Sequence, residues 1–271
     1  MTASAASIPG RRCFALPDTP PHKELVRLRF ARSLDTYGRA ASVQAAMAGE
    51  LVQALLAQGP REFPRVLEAG CGTGGLTDLL ERSLRYQELL LVDLVPECER
   101  FHLHRPRARF LAGDLESLPL PGDLDLCVAN AVFQWLEHPR EFLRRLEGAM
   151  RPGALLAFTA FGPQNLQEVT ALTGRGLAYP TGEEWEGRLR QEGFSPLFRR
   201  EWLRTLLFPS PREVLRHLKE TGVTATGKGE APWSRRRLQE FQEEYRRRFA
   251  QGGEAVPLTY HPLLFVARKP G

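Results

Sequence analysis

The eight residues Glu68-Ala69-Gly70-Cys71-Gly72-Thr73-Gly74-Gly75 constrain this chain more than any other segment. They follow the apolar run Arg65-Val66-Leu67-Glu68, read as a short buried strand, and open a helical stretch over 76–84. Glycines placed between a strand and a helix allow a tight turn and close backbone approach, and they leave the first helical N–H groups facing a ligand. A bare G-x-G-x-G is weakly specific. The acid two residues before the first glycine, and Asp93 closing the apolar run at 88–93, sharpen it. The alternatives are a plain turn for Gly70, Gly72 and Gly74 and a solvated strand-end acid for Asp93.

Further apolar runs at 124–130 and 154–159 read as strands, with a weaker candidate at 109–112, and a helix is predicted over 133–150. Strands alternating with helices argue for an α/β fold with a doubly wound, mostly parallel sheet covered on both faces. Before the glycine loop, apolar spacings of three and four predict helices over 23–32 and 40–58, with Ser33-Leu34-Asp35-Thr36-Tyr37 between them. Beyond Gly162 a helix is predicted over 183–191 and a strand over 202–208. A helix over 211–221 follows, with Gly222 as its C′ residue. Another is expected over 233–249, with Leu238, Phe241, Tyr245 and Phe249 on one face, and then a closing strand or hairpin partner at 256–267. The organisation expected is a loose arm over 1–22 and one domain over 23–271. That domain includes N-terminal lid helices over 23–58 and a helical insertion at about 209–251.

Composition excludes several classes. Hydrophobic residues are 42% and charged residues 25%, too apolar for a disordered chain. The four cysteines, Cys13, Cys71, Cys98 and Cys127, form no C-x-x-C pair and have no histidine at ligand spacing, so no metal site or disulfide scaffold is expected. No run of 18 apolar residues exists, and the Ala/Ser/Pro-rich start lacks a signal-peptide core. A cytoplasmic enzyme acting as a monomer, with no membrane partner, is the expectation. The formal charge of +5 is modest, although 33 of the 37 basic residues are arginine.

The leading Glu68 and the loop spacing look more like an S-adenosylmethionine-dependent methyltransferase than a dinucleotide-binding enzyme. A carboxylate at Asp93 can accept both ribose hydroxyls, and Glu68 can orient the methionine ammonium. Gly113-Asp114-Leu115 resembles the adenine-binding position of that class; a Gly-Asp turn is the alternative. Asn130-Ala131-Val132-Phe133-Gln134-Trp135-Leu136 sits where open α/β sheets place ligands. Phe133 and Trp135 there can wall a cation or fold back onto the next helix, and Asn130 is either a cofactor contact or a helix cap. Phe161-Gly162-Pro163-Gln164-Asn165-Leu166 is a substrate wall or an ordinary strand exit.

The chain further resembles the malonyl-acyl-carrier-protein O-methyltransferase family of biotin synthesis. The resemblance rests on the segment over 29–37 with Ala40 and Gln44, the glycine loop, the Asn130 segment, Thr159-Ala160-Phe161-Gly162-Pro163-Gln164-Asn165-Leu166, Leu215-Arg216-His217-Leu218-Lys219-Glu220-Thr221-Gly222-Val223 and Leu258-Thr259-Tyr260. It implies a seven-stranded Rossmann-like sheet, S-adenosylmethionine as co-substrate, and malonyl-acyl-carrier protein as the methyl acceptor. The cofactor-binding set it suggests is Glu68, Gly70, Gly72, Gly74, Asp93, Asp114, Leu115 and Asn130. The catalytic set is Tyr37, Phe133, Trp135, Phe161 and Arg145. Arg144, Arg204 and Arg216 remain alternatives to Arg145 for clamping the substrate carboxylate, and His217 is a further candidate contact. Basic helices around Arg140, Arg144 and Arg145, and from Arg235 to Arg248, are candidates for docking an acidic carrier or are merely solvated. Leu94-Val95-Pro96 departs from the family pattern. The competing expectations are a methyltransferase of a free acid such as trans-aconitate, a nicotinamide dehydrogenase, and a non-catalytic binder. No nucleic-acid partner is expected, because no Asn/Asp-Pro-Pro-Tyr/Phe segment follows the Asn130 strand.

Overall fold

The computed structural model describes residues 21–174, 176–223, 234–250 and 255–271. The arm expected over 1–22 falls almost wholly outside the described residues, as do Cys13 and Trp233. Five runs pair in parallel: β1 (Arg65–Ala69), β2 (Glu88–Asp93), β3 (Ala108–Ala112), β4 (Leu124–Asn130) and β5 (Met150–Phe161). With β6 (Ser195–Glu201) and the lone antiparallel strand β9 (Pro262–Arg268) they form a seven-stranded sheet in the order β3-β2-β1-β4-β5-β9-β6. The expected doubly wound sheet is present.

Burial explains why these strands read as continuous apolar runs. Alternate residues feed two cores. Val66, Leu89, Leu91 and Val128 pack under α2 (Ser42–Gln58) and α3 (Gly75–Ser83). Leu67, Leu90, Cys127 and Phe158 pack under α4 (Pro139–Ala149) and α6 (Gly182–Gln191). A strand buried on both faces has no polar face to alternate with. The second core centres on stacked rings: Phe158 lies 4.3 Å from Phe133 and 4.9 Å from Phe265, with Trp185 at 5.4 Å.

Several boundaries differ from expectation. Helix α1 (Pro21–Ala40) runs straight through Ser33 to Tyr37 and turns by 73° into α2. The helix expected over 133–150 is broken into a one-turn 3-10 helix, Phe133–Trp135, and α4, because Pro139 lacks an N–H and disfavours helical backbone at His138. Strand β6 and helix α5 (Gln167–Thr173) were not anticipated. The run at 256–267 divides at His261: β8 (Val256–Tyr260) leaves the main sheet to pair with β7 (Arg204–Phe208), while β9 enters it. The insertion expected at about 209–251 thus hangs from a two-stranded neck. Within it, α7 (Pro211–Glu220) ends as anticipated at Gly222, where φ is +72° and the Val223 N–H returns to the Leu218 carbonyl. Helix α8 (Arg235–Phe249) buries Phe241 and Tyr245. Among the described residues, no single helix is long and apolar enough to cross a membrane.

Truncating the central ring should show how far the sheet depends on this core. Phe158→Ala is expected to destabilise the fold by about 3–5 kcal/mol, read as a lowered midpoint in denaturant unfolding.

Candidate functional site

Chain order reverses between β1 and β4, since β2 and β3 lie to one side of β1 and β4 and β5 to the other. Such a switch point opens a crevice at the carboxyl ends of the strands. A cavity of about 230 Å³ occupies it, bounded by the loop after β1, Asp93 on β2, Gly113 and Asp114 after β3, Asn130 on β4, and α1 as outer wall.

The glycine loop is shaped by its own backbone and by Asp93. Gly70, Gly72 and Gly74 all have positive φ (+72°, +50° and +90°), and a Cβ on Gly70 would lie 2.3 Å from Val132, so neither conformation nor space admits a side chain there. The Asp93 carboxylate accepts from the Gly72 N–H and the Val95 N–H, each at 2.8 Å, one on each oxygen. Burial pushes its acidity down, and the two backbone donors oppose that push. His102 supports the loop from behind: its Nε2 lies 3.0 Å from the Gly72 carbonyl, so that nitrogen carries the proton and donates. Burial keeps the ring neutral by lowering its pKa. Sequence reasoning missed His102, which lies 30 residues from its partner and has no motif around it.

Glu68 is the most unusual group in the cavity. It is 1% exposed, and neither carboxylate oxygen has a hydrogen-bond partner. Burial pushes its pKa up to about 8, while the nearby Thr77 hydroxyl, outside good hydrogen-bond geometry, and the Arg105 guanidinium pull the other way. An unpaired buried acid at a ligand cavity calls for a cation or a donor from outside the protein.

Comparison with known proteins places this cavity in context. A family model described as a methyltransferase domain matches residues 67–158. The malonyl-[acyl-carrier protein] O-methyltransferase of Porphyromonas gingivalis is 40% identical over 248 residues, covering 90% of this chain and 95% of its own. The protein of the same name from Chlorobium luteolum is 43% identical over 256 residues, covering 91% and 95%. The chain belongs to the malonyl-[acyl-carrier protein] O-methyltransferase family. Its fold is also similar to that of the N-methyltransferase NodS from Bradyrhizobium japonicum, solved in complex with S-adenosylhomocysteine: TM-score 0.56, 16% identity, covering 91% of this chain and 99% of that one.

Most residues singled out for this family chemistry converge. Glu68, Gly70, Gly72, Asp93, Asp114, Leu115, Asn130, Tyr37 and Trp135 line the cavity; Gly74 sits just behind it as the N-cap of α3. Asp114, expected to meet adenine, already pairs with Lys23 Nζ at 2.6 and 2.8 Å. Lys23 was not anticipated as part of the site. Asn130 caps no helix; its amide donates to the Gln44 carbonyl (2.9 Å) and accepts from the Thr159 hydroxyl (2.7 Å). Phe161 lies deeper, in an adjoining chamber with Tyr179 and Tyr260.

Two assignments need correction. Phe133 is 1% exposed and stacked into the core, because the 3-10 turn points it under the sheet and leaves Trp135 facing the cavity. Arg145 does not face the substrate; its guanidinium donates to the carbonyls of Leu115, Glu116 and Leu118 and so braces the loop after β3. Of its alternatives, Arg144 pairs with Glu192 at 3.4 Å, and Arg216 pairs with Glu213 and Glu220.

The raised pKa of Glu68 carries a pH prediction. Below about pH 8 the ligand-free site holds a proton that the unfolded chain releases near 4.5, so this group lowers stability as pH rises through that window. A ligand ammonium favours the carboxylate and expels the proton. Affinity for S-adenosylhomocysteine should therefore rise by up to about tenfold per unit from pH 6 towards pH 8. Calorimetry in two buffers should detect the released proton, and Glu68→Gln should flatten the profile.

Proposed function

We propose that this chain transfers a methyl group from S-adenosylmethionine to the free carboxylate of a malonyl thioester on acyl-carrier protein, giving the malonyl methyl ester. The observation that carries the reading is the unpaired, buried Glu68 beside the Asp93-held loop, in a family defined by relatives of that activity. The residues fit the co-substrate. Glu68 would meet the ammonium, the free lone pairs of Asp93 would accept the ribose hydroxyls, and the Asp114–Leu115 segment would border the adenine. When bound, the co-substrate supplies a sulfonium methyl, which a carboxylate oxygen takes as the S–C bond breaks and its electron pair returns to sulfur.

The chain's own part is positioning. A malonyl carboxylate is ionised near pH 7, so no group need remove a proton. Attack of an anion on a cation annihilates charge, and a dry, weakly polar surrounding favours that change more than water does. Tyr37, Phe30 and Trp135 line both the cofactor cavity and the adjoining chamber, with the Phe30 and Trp135 rings 5.4 Å apart edge to face. They exclude water where methyl and acceptor meet.

For the carrier protein, α8 is the better docking candidate. The α4 arginines are occupied: Arg140 and Arg144 share Glu192, and Arg145 is turned inward. Helix α8 keeps Arg235, Arg236, Arg237, Arg246, Arg247 and Arg248 exposed while its apolar face is buried. Glu240 and Glu244 pair with three of these and reduce the surplus. An acidic partner would be steered by what remains. We take the enzyme to be a cytoplasmic monomer with no nucleic-acid or membrane partner.

The test is transfer from methyl-labelled S-adenosylmethionine to malonyl-acyl-carrier protein or to free diacids. Base-labile label on the carrier is the expected result, and label confined to a free diacid would refute the assignment. Replacing Asp93 by Asn should weaken S-adenosylhomocysteine binding about 10- to 100-fold, the effect of losing a hydrogen bond to a charged group.

A further inference from the structure

The chamber beyond Tyr37, about 10 Å³ and so wide enough for roughly one water, is unlike the cofactor cavity. Its far side is built by Phe161, Asn165, Tyr179 and Tyr260, drawn from the end of β5, the loops flanking α5, and the end of β8. No Lys, Arg or His lines it among the described residues. Its polar groups include three phenols. Tyr37, Tyr179 and Tyr260 all line the same small space. The Phe161 ring packs against both partners, 5.8 Å from Tyr260 and 6.4 Å from Tyr179.

Each of the two inner phenols is backed by a second group. Asn165 lines the space beside Tyr179, and its amide favours the ionised form of that phenol against the effect of burial. The Tyr260 hydroxyl lies 2.8 Å from His217 Nε2, and burial keeps that imidazole neutral. In the tautomer with the proton on Nε2, His217 donates and turns the Tyr260 proton towards the chamber.

Resting on the proposed function, we infer that the acceptor carboxylate, on widening this space, is received by the hydroxyls of Tyr37, Tyr179 and Tyr260, with His217 as a positioning residue, and not by Arg144, Arg145, Arg204 or Arg216. The physical case is one of charge. An arginine would stabilise the ground-state anion and blunt the nucleophile, whereas neutral hydroxyls orient the carboxylate and leave its charge to be matched by the sulfonium alone. The arginine candidates agree with this: Arg144, Arg145 and Arg216 are engaged elsewhere, and Arg204 is exposed on β7.

The test uses the full chain with malonyl-acyl-carrier protein and the variants Tyr179→Phe and Tyr260→Phe, which keep the rings. Each is expected to lower kcat/KM about 10- to 100-fold, chiefly through KM, while S-adenosylhomocysteine affinity and the thermal midpoint stay unchanged. His217→Leu should lose as much as Tyr260→Phe, and His217→Gln, whose amide N–H can still donate, should recover most of it. Wild-type-like kcat/KM in both tyrosine variants would overturn the inference, as would a comparable loss in Arg204→Gln or Arg216→Gln. The two readings fail separately. If the wild type leaves malonyl carriers unmethylated but methylates another carboxylate with the same dependence on Tyr179 and Tyr260, the assigned substrate is wrong and the tyrosine site stands.

Discussion

The two hydrogen bonds that Asp93 accepts from the Gly72 and Val95 amides organise the site. They fix the loop after β1 to the end of β2, so two strands of the sheet hold one backbone curve between them. The conformation that results has left-handed glycines at the alternate positions 70, 72 and 74 and places the Gly72 carbonyl against His102. It also leaves Glu68, one residue inside the strand end, with no internal partner. A buried carboxylate without a partner is a standing cost to the fold. The arrangement makes sense only if a cation relieves it, which ties the loop's geometry to ligand charge.

Charge is then handled differently in the two adjoining spaces. The cofactor cavity carries two acids, Glu68 and Asp93, for a ligand bearing an ammonium and a sulfonium. The second chamber carries hydroxyls, amides and rings. A methyl transfer between opposite charges gains from a low dielectric at the junction and from the absence of competing counter-ions. Among the described residues, no arginine lines the second chamber, although Arg27 borders the cofactor cavity. Several others brace or decorate the outside, such as Arg145 under the loop after β3 and the exposed run on α8.

What could be read in the sequence was what lies close along the chain. Strand β1, the glycine loop and α3 are contiguous, and Asp93 closes the next apolar run, so their meeting needed only the rule of the parallel sheet. Tyr179 and Tyr260 could not be read that way, and His217 stood only as a candidate contact without a partner. Tyr179, His217 and Tyr260 meet across some 80 residues, brought together by the β7–β8 neck and by α7 docking against α1. Phe133 and Arg145 misled for a related reason. An aromatic or an arginine near a strand end can face ligand or fold, and the turn of a single 3-10 helix decides which.

Lys23 shows how the outer wall is held. Its ammonium is buried, 4% exposed, against both oxygens of Asp114 and against Glu116. Glu116 in turn accepts from the backbone of Glu137 and His138, at the entry to α4. One cluster therefore joins the start of α1, the loop after β3 and the approach to α4. Residues of α1 line both spaces, so this cluster fixes one wall of each. An ammonium cannot leave two carboxylates in part without remaining both unpaired and poorly hydrated. The cluster therefore resists partial displacement of α1, and the wall it holds limits the water that a charge-annihilating transfer must avoid.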